Sequence, residues 1–563
     1  MKKRLFIFYL LITSLLFFAR VVVFADRLGG VEHDSGWYLG VARNLAQRGI
    51  YASYTNTIIP EEQGDYPSIH GRFSVQDENG YSYFPAGVTV GPGYIIPEAI
   101  LLKIFGYDFW QFRLWPLISF LGLLILVFYF AYKLGGWISL IILYIWLWLF
   151  PQIYLPMAYE AYGEHVALFY LLLSFFLFLR KSKTERSNYF LMFISGVIFS
   201  LSVLTKYLML LAISSFGFIF LCDVFLMFRK KDPRQTRQKI FGWIVWGLGF
   251  VLPMAIFEVY RYLSLVSQFG VQGWKAINKD IQIHLAQNGS GLKLLKLDYN
   301  FVFKKFLIWE KFGFRYGFLA WTVLAFYTLQ ILYKKRKGDI QIFSLFIVSS
   351  LAGLIWFTFF SPTGWTRHAW MSLVLGLVLI ASFLGSLISR IKMKKKFGFT
   401  LILGASILLT QRLSMAHPKF SIDESVINKW ELQRYEGGLQ GLPTNTIASL
   451  SDQKELKSFF EKNVKNKDRV YYLGWFLVAE ASPIVDKVFY TYDRYEYLQR
   501  KNPQNGVSYL ILGPYQKGRL SLVGQSYVPK KIDSLCNKVV FNNPSYTLCT
   551  LRNDVNYTNR AYE

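Results

Sequence analysis

Apolar runs long enough to cross a membrane recur eleven times along this chain, and lysine and arginine clusters mark every second boundary between them. The runs lie at about 5–24, 113–132, 137–155, 164–179, 189–205, 208–228, 240–260, 314–333, 340–360, 370–389 and 397–414, each near the length that spans a bilayer core. Lys2, Lys3 and Arg4 precede the first, Lys133 follows the second, and Arg180, Lys181, Lys183 and Arg186 follow the fourth. Arg229 to Lys239 follow the sixth, Lys334 to Lys337 the eighth, and Arg390 to Lys396 the tenth. The opposite boundaries are nearly bare, with Lys206 in one and Arg367 in another. Basic loops stay in the cytoplasm, so the pattern predicts a cytoplasmic N-terminus and an extracytoplasmic C-terminus in the cell inner (plasma) membrane. A missed or spurious run would break the alternation, which therefore supports the count and the orientation together.

Composition agrees. Of 563 residues 53% are hydrophobic and only 17% charged, a mix for a multispanning protein and not for a soluble one. The net charge of +27 belongs to the clusters that set topology. A nucleic-acid partner is therefore not expected, since that needs a basic soluble face. Lys2-Lys3-Arg4 and the run ending Val23-Phe24-Ala25 also fit a cleavable signal peptide, but the run is long enough to span.

Two units follow: a transmembrane region, 1–414, and an extracytoplasmic α/β domain, 415–563. The first outer loop, 25–112, holds a helical stretch near 35–48, a turn-rich section, and a short apolar run, 94–105, interrupted by Pro97 and Glu98. That run reads as a helix lying at the interface. A second outer region covers 261–313. In the tail, 452–465 reads as a helix, and Arg469–Leu473, Lys487–Tyr490, Tyr509–Leu512, Lys538–Phe541 and Tyr546–Leu551 read as short strands between Gly, Pro and Asn. About 145 residues can bury a core of their own. No internal repeat is visible. Of three cysteines, Cys222 lies in an apolar run. Cys536 and Cys549 flank the turn signal Asn542-Asn543-Pro544-Ser545. They either pair, as an oxidising exterior allows, or stay buried thiols.

Three groups of residues carry candidate chemistry. The first is Glu32-His33-Asp34-Ser35 with Tyr38 and Ala42, directly after the first apolar run. Asp34 is either a helix cap or a working carboxylate. The second is Tyr159-Glu160-Ala161-Tyr162-Gly163-Glu164-His165 at the mouth of the fourth run. Carboxylates there are functional more often than in ordinary loops, the alternative being a solvated interfacial loop. The third is the pair of outer cationic sites, Lys206 and Arg367-His368. Each either snorkels to the interface or holds a phosphate anion there.

Asp34 followed by Tyr38, Ala42, Leu45 and Gly49 resembles the first-loop signature of the GT-C glycosyltransferases. It is most similar to the family 39-type branch, which includes aminoarabinose and protein O-mannosyl transferases. Gly91-Pro92-Gly93-Tyr94, Phe105-Gly106 and Phe112-Arg113-Leu114 resemble the stretch leading into that family's second helix, and Gly196 with Leu204-Thr205-Lys206 resembles its "G…LTK" element. The likeness covers about 1–390 in layout. Ser35 stands where the family often has a second acidic residue, leaving Glu32 as the nearest substitute.

The resemblance implies a GT-C-like polytopic helical fold and transfer of a sugar from a polyprenyl-phosphate donor to a lipid, glycan or protein acceptor. It implies Asp34 at the reaction centre, Glu164 as the acidic residue at a helix start with Glu160 one turn earlier, and Arg367 at the place of a family arginine. A carboxylate within about 3 Å of an acceptor hydroxyl serves as base; for a phosphate acceptor Asp34 would orient instead. Lys206, Arg367 and His368 would hold the leaving phosphate. No cofactor is demanded, although Asp34 and Glu164 would also suit Mg²⁺ or Mn²⁺. No glycine-rich phosphate loop or Rossmann fingerprint is present, which argues against a nucleotide-sugar donor, and no Trp-Trp-Asp-Tyr-Gly motif occurs. The alternatives are a lipid-linked sugar flippase, which repeated halves would favour, and a glycan-binding scaffold, which leaves the Asp34 cluster unexplained.

Overall fold

A computed structural model describes residues 2–28, 31, 33–56, 75–85, 91–149, 158, 163–180, 182, 184–230, 232–288, 327–328, 337–361, 366–388, 448, 450–472, 481–492, 495, 499, 505–513 and 535–552. The apolar runs become helices: α1 (Lys2–Leu28), α4 (Leu114–Leu149), α5 (Glu164–Leu179), α6 (Glu185–Thr205), α7 (Ile213–Lys230), α8 (Pro233–Asn288), α9 (Lys337–Ile355) and α10 (Thr366–Ile388). Between α1 and α4 lie α2 (His33–Arg48) and α3 (Pro92–Phe105). Among the described residues six helices are long and apolar enough to cross a membrane, with shorter apolar helices at Ile7–Val23 and Glu164–Leu179. Apart from Tyr327 and Thr328, the runs expected at 314–333 and 397–414 lie outside the described residues.

Sequence explains the local breaks. The run 113–132 and the described part of the run 137–155, to Leu149, form one helical element interrupted at Gly136, whose φ of 76° suits glycine. The run at 240–260 does not end there: its helix reaches a break at a second such glycine, Gly270 (φ 67°), beyond which a separate helical piece runs to Asn288. Thr184 caps α6, its side chain accepting from the Ser187 N–H at 3.3 Å. Where α6 crosses α8 the backbones nearly touch. A Cβ on Gly196 would stand 2.9 Å from the Phe250 nitrogen, and one on Gly249 3.1 Å from the Phe193 carbonyl carbon. Small residues permit that approach in lipid.

Helix α3 begins with Pro92 at a position where its missing N–H costs nothing. It buries Tyr94, Ile95, Glu98, Ala99 and Leu102, while Ile96, Ile100, Ile104 and Phe105 stay exposed. An apolar exposed face outside the spanning bundle suits a helix lying at the lipid boundary.

The outer parts hold two sheets. Ala52–Ser53 (β1), Val75–Gln76 (β3) and Ser82–Tyr83 (β4) form a three-stranded sheet in the order β1-β4-β3. The tail contributes α11 (Leu450–Asn463), β5 (Arg469–Tyr472), α12 (Ala481–Val485), β6 (Phe489–Thr491), β7 (Ser508–Leu512), β8 (Cys536–Asn542) and β9 (Thr547–Leu551). Strands β5, β6 and β7 run parallel, and β9 and β8 continue the sheet antiparallel. Both faces are covered: Val470, Tyr472, Tyr509 and Ile511 face one buried cluster, and Tyr471, Leu510 and Leu512 another. Period-2 alternation divides them. Cys536 and Cys549 form a disulfide across the β8–β9 hairpin.

The tail sheet is not built from the tail alone. Thr55–Asn56 (β2), in the first outer loop, pairs parallel with Phe489 and Tyr490 and completes the order β2-β6-β5-β7-β9-β8. Side chains reinforce the join. Asp486 accepts from the Tyr54 hydroxyl at 2.6 Å and from Arg48 at 3.0 Å, and lies 3.4 Å from Arg43. Burial, followed by the Asp486 charge, pushes the Tyr54 phenol well above its usual range. Arg43 also donates to the carbonyls of Pro483 and Ile484. The first loop and the tail therefore dock through a partly buried polar network in which Arg43 is the buried member.

Candidate functional site

Asp34 falls in the first turn of α2, which begins at His33. Glu32, Glu160 and the side chains of Asp34 and Arg367 lie outside the described residues. One turn along α2, Tyr38 is buried and meets Tyr94 of α3 edge-on, ring centroids 5.4 Å apart.

Glu164 and Lys206, read from separate loops, come together. Lys206 Nζ lies 3.3 Å from Glu164 Oε1, with the two side chains 20% and 7% exposed. The ammonium also sits 4.9 Å from the centroid of the Tyr38 ring, a cation–π distance. The second Glu164 oxygen is buried without a hydrogen-bond partner. Local sequence makes this meeting possible. Gly163, at φ 82°, turns the chain so that α5 starts on Glu164, a favourable place for a carboxylate beside the positive helix end. A Cβ on Gly163 would press to 3.2 Å from Lys206 Cε and 3.7 Å from the Tyr38 ring. Lys206 ends α6 in an extended conformation, its N–H bonded to the Ser202 carbonyl.

The glycine motif explains the remaining wall. A Cβ on Gly91 would stand 2.7 Å from the Leu204 carbonyl carbon and 3.0 Å from the Thr205 oxygen. One on Gly93 would stand 3.1 Å from the Thr205 nitrogen. Gly91-Pro92-Gly93-Tyr94 and Leu204-Thr205-Lys206 are thus two sides of one close backbone contact, which sets α3 against the turn that presents Lys206. Tyr170 of α5 donates to the Gly93 carbonyl at 3.2 Å.

Glu98, on the buried side of α3, accepts from the Trp115 N–H at 3.3 Å and keeps its other oxygen unpartnered. Burial raises its carboxyl well above the usual range, against the smaller opposite effect of the Trp115 bond. His368 lies at the start of α10 with Trp356 as ring neighbour, centroids 6.4 Å apart.

Arg261 escaped the sequence reading. It is buried just past the C-terminal end of the 240–260 run, 2.6 Å from Glu258 and bonded to Asn278 at 2.9 Å. It lies within electrostatic reach of Tyr207, the residue after Lys206. The rule that singled out Lys206, an outer cation at the edge of a span, would also have found it. Among the described residues no three His, Cys, Asp or Glu side chains converge as a metal site.

A family model described as dolichyl-phosphate-mannose-protein mannosyltransferase matches residues 91–267, the stretch from the glycine motif through α5, α6 and most of α8. No curated protein matches the chain. Among solved structures, ArnT from Cupriavidus metallidurans bound to undecaprenyl phosphate is similar at a TM-score of 0.56 and 12% identity, over 98% of each chain. The same protein in the apo state is similar at 0.51 and 12%, over 95% of this chain and 97% of that one. At such identity the structural likeness is one of fold, and it extends over the tail as well as the bundle.

Proposed function

We propose that this chain, a multi-pass membrane glycosyltransferase of GT-C architecture, takes a sugar from a polyprenyl-phosphate carrier and passes it to a lipid, glycan or protein acceptor on the outer face of the membrane. The observation that carries the reading is the Glu164–Lys206 pair held against Tyr38, one helical turn from Asp34. The family model that matches 91–267 is described by a dolichyl-phosphate sugar, and the similar ArnT was solved with undecaprenyl phosphate. Both are polyprenyl phosphates.

In this mechanism the bond between the sugar's anomeric carbon and the phosphate oxygen breaks, and the electron pair leaves with the phosphate. Lys206 holds the anion, and Arg367 and His368 extend the cationic side from the start of α10. Fixed positive groups at a water-poor boundary stabilise departing charge without reorganisation. Glu164 keeps the Lys206 ammonium in place before the donor arrives. Its free oxygen is available to a sugar hydroxyl. Asp34 accepts the acceptor's proton as its oxygen attacks from the opposite side.

The test is transfer from a purified polyprenyl-phosphate sugar at equal protein. Asp34→Asn should lower turnover by roughly 10²–10⁴, the worth of a general base, with membrane protein level unchanged. Lys206→Met should lower it by weakening hold on the leaving phosphate. Wild-type rates in Asp34→Asn would remove Asp34 from the chemistry.

A further inference from the structure

We infer that Gln453, on the tail helix α11, is a positioning residue for the transfer, acting through the backbone that leads into Asp34. Its fully buried amide bonds both backbone groups of one residue, Val31: the Val31 N–H donates to Gln453 Oε1 at 2.8 Å, and Gln453 Nε2 donates to the Val31 carbonyl at 2.9 Å. The two residues are 422 apart in sequence. Val31 lies two residues ahead of the first residue of α2. Its side chain is buried in the cluster that holds Tyr38, Tyr94 and Val166, and Tyr38 of that cluster is the ring against which Lys206 sits.

The clamp is itself braced. Gln453 Nε2 also donates to the Tyr546 hydroxyl at 3.3 Å. Tyr546 sits at the β8–β9 turn, where Asn543 donates to the Asp452 carbonyl at 3.0 Å and Ser545 bonds the Asp452 carboxylate. The Cys536–Cys549 disulfide closes the same hairpin. A planar amide engaging both the N–H and the C=O of one residue fixes direction as well as distance, because each bond weakens steeply off axis. Val31 thus takes its position from the tail, two residues ahead of α2.

The inference rests on Asp34 acting at the reaction centre, and the experiment separates the two. Transfer kinetics and hydrogen exchange at the Val31 amide are measured for the full-length protein with Gln453→Met, Asp34→Asn and the double substitution. Gln453→Asn, shorter by one methylene, is the milder variant should Gln453→Met fail to accumulate. Intact pairing of Cys536 with Cys549 reports that the tail remains folded. Gln453→Met should speed Val31 exchange and lower kcat roughly 10- to 100-fold, in line with the cost of an ångström-scale misplacement, with KM for the donor within about twofold. In the Asp34→Asn background it should change kcat less than about twofold, because coupled residues are not additive. An unchanged kcat, or an equal fall in both backgrounds, overturns the positioning role. Wild-type turnover in Asp34→Asn alone overturns the reading of Asp34 instead.

Discussion

Replacing Gly91 by alanine adds one methyl group, and the structure says where the damage goes. Gly91 has φ −82° and ψ 145°, an extended conformation open to any residue, so strain in φ plays no part. The obstacle is space. The new Cβ would stand 2.7 Å from the Leu204 carbonyl carbon, where carbon–carbon contacts settle at about 3.5–4.0 Å. The deficit is about 1 Å, and the opposing atoms are backbone, which cannot swing aside. Either α3 lifts away from the end of α6 or the turn Leu204-Thr205-Lys206 moves. Overpacking of this kind costs about 1–3 kcal/mol. Because the moved turn presents Lys206 to Glu164, a displacement of about 1 Å should also lower transfer roughly 10²-fold. The measurement pairs thermal unfolding in detergent with transfer at equal protein. Gly217→Ala is the control: nothing lies within 4 Å of a Cβ there, so it should be neutral or stabilising by up to about 1 kcal/mol in a helix. Wild-type stability and rate in Gly91→Ala would refute the claim that this contact sets the site.

Three further outcomes are expected. Lys206 already neutralises Glu164 at 3.3 Å, so we expect transfer to survive chelation of divalent cations; loss under EDTA and recovery with Mg²⁺ or Mn²⁺ would put a metal at the site. Glu98 has a raised carboxyl in the fold, so the folded state binds a proton that the unfolded state releases above its ordinary range. Stability should therefore fall as pH rises from that range toward the folded value, and Glu98→Gln should flatten the loss, as melting curves at pH 5.5 and 8 would report; parallel curves would refute it. A reporter after residue 420 should read outside and one near Lys335 inside, and the reverse at either site would refute the orientation drawn from basic clusters.

The sequence alone located the apolar runs that become helices among the described residues, because apolar length is a local property. It also located a helix near 94–105 and the helix and five strands of the tail, where alternation and turn residues act over a few positions. It named the glycine and Leu-Thr-Lys motifs, and Glu164 and Lys206 one by one. Only the tertiary structure decided how these meet. Nothing local in Thr55 and Asn56 announces a strand, since their partners Phe489 and Tyr490 lie more than four hundred residues away. The boundary expected near 414 therefore divides the chain's composition, while the sheet crosses it. Gly91 and Gly93 were legible as a motif, but their reason is the backbone of Leu204 and Thr205 on another helix. Glu164 pairs with Lys206 because the left-handed turn at Gly163 and the end of α6 reach the same point. Gln453 was invisible for the same reason: a buried amide on a polar tail helix acquires its role only when Val31 is brought to it.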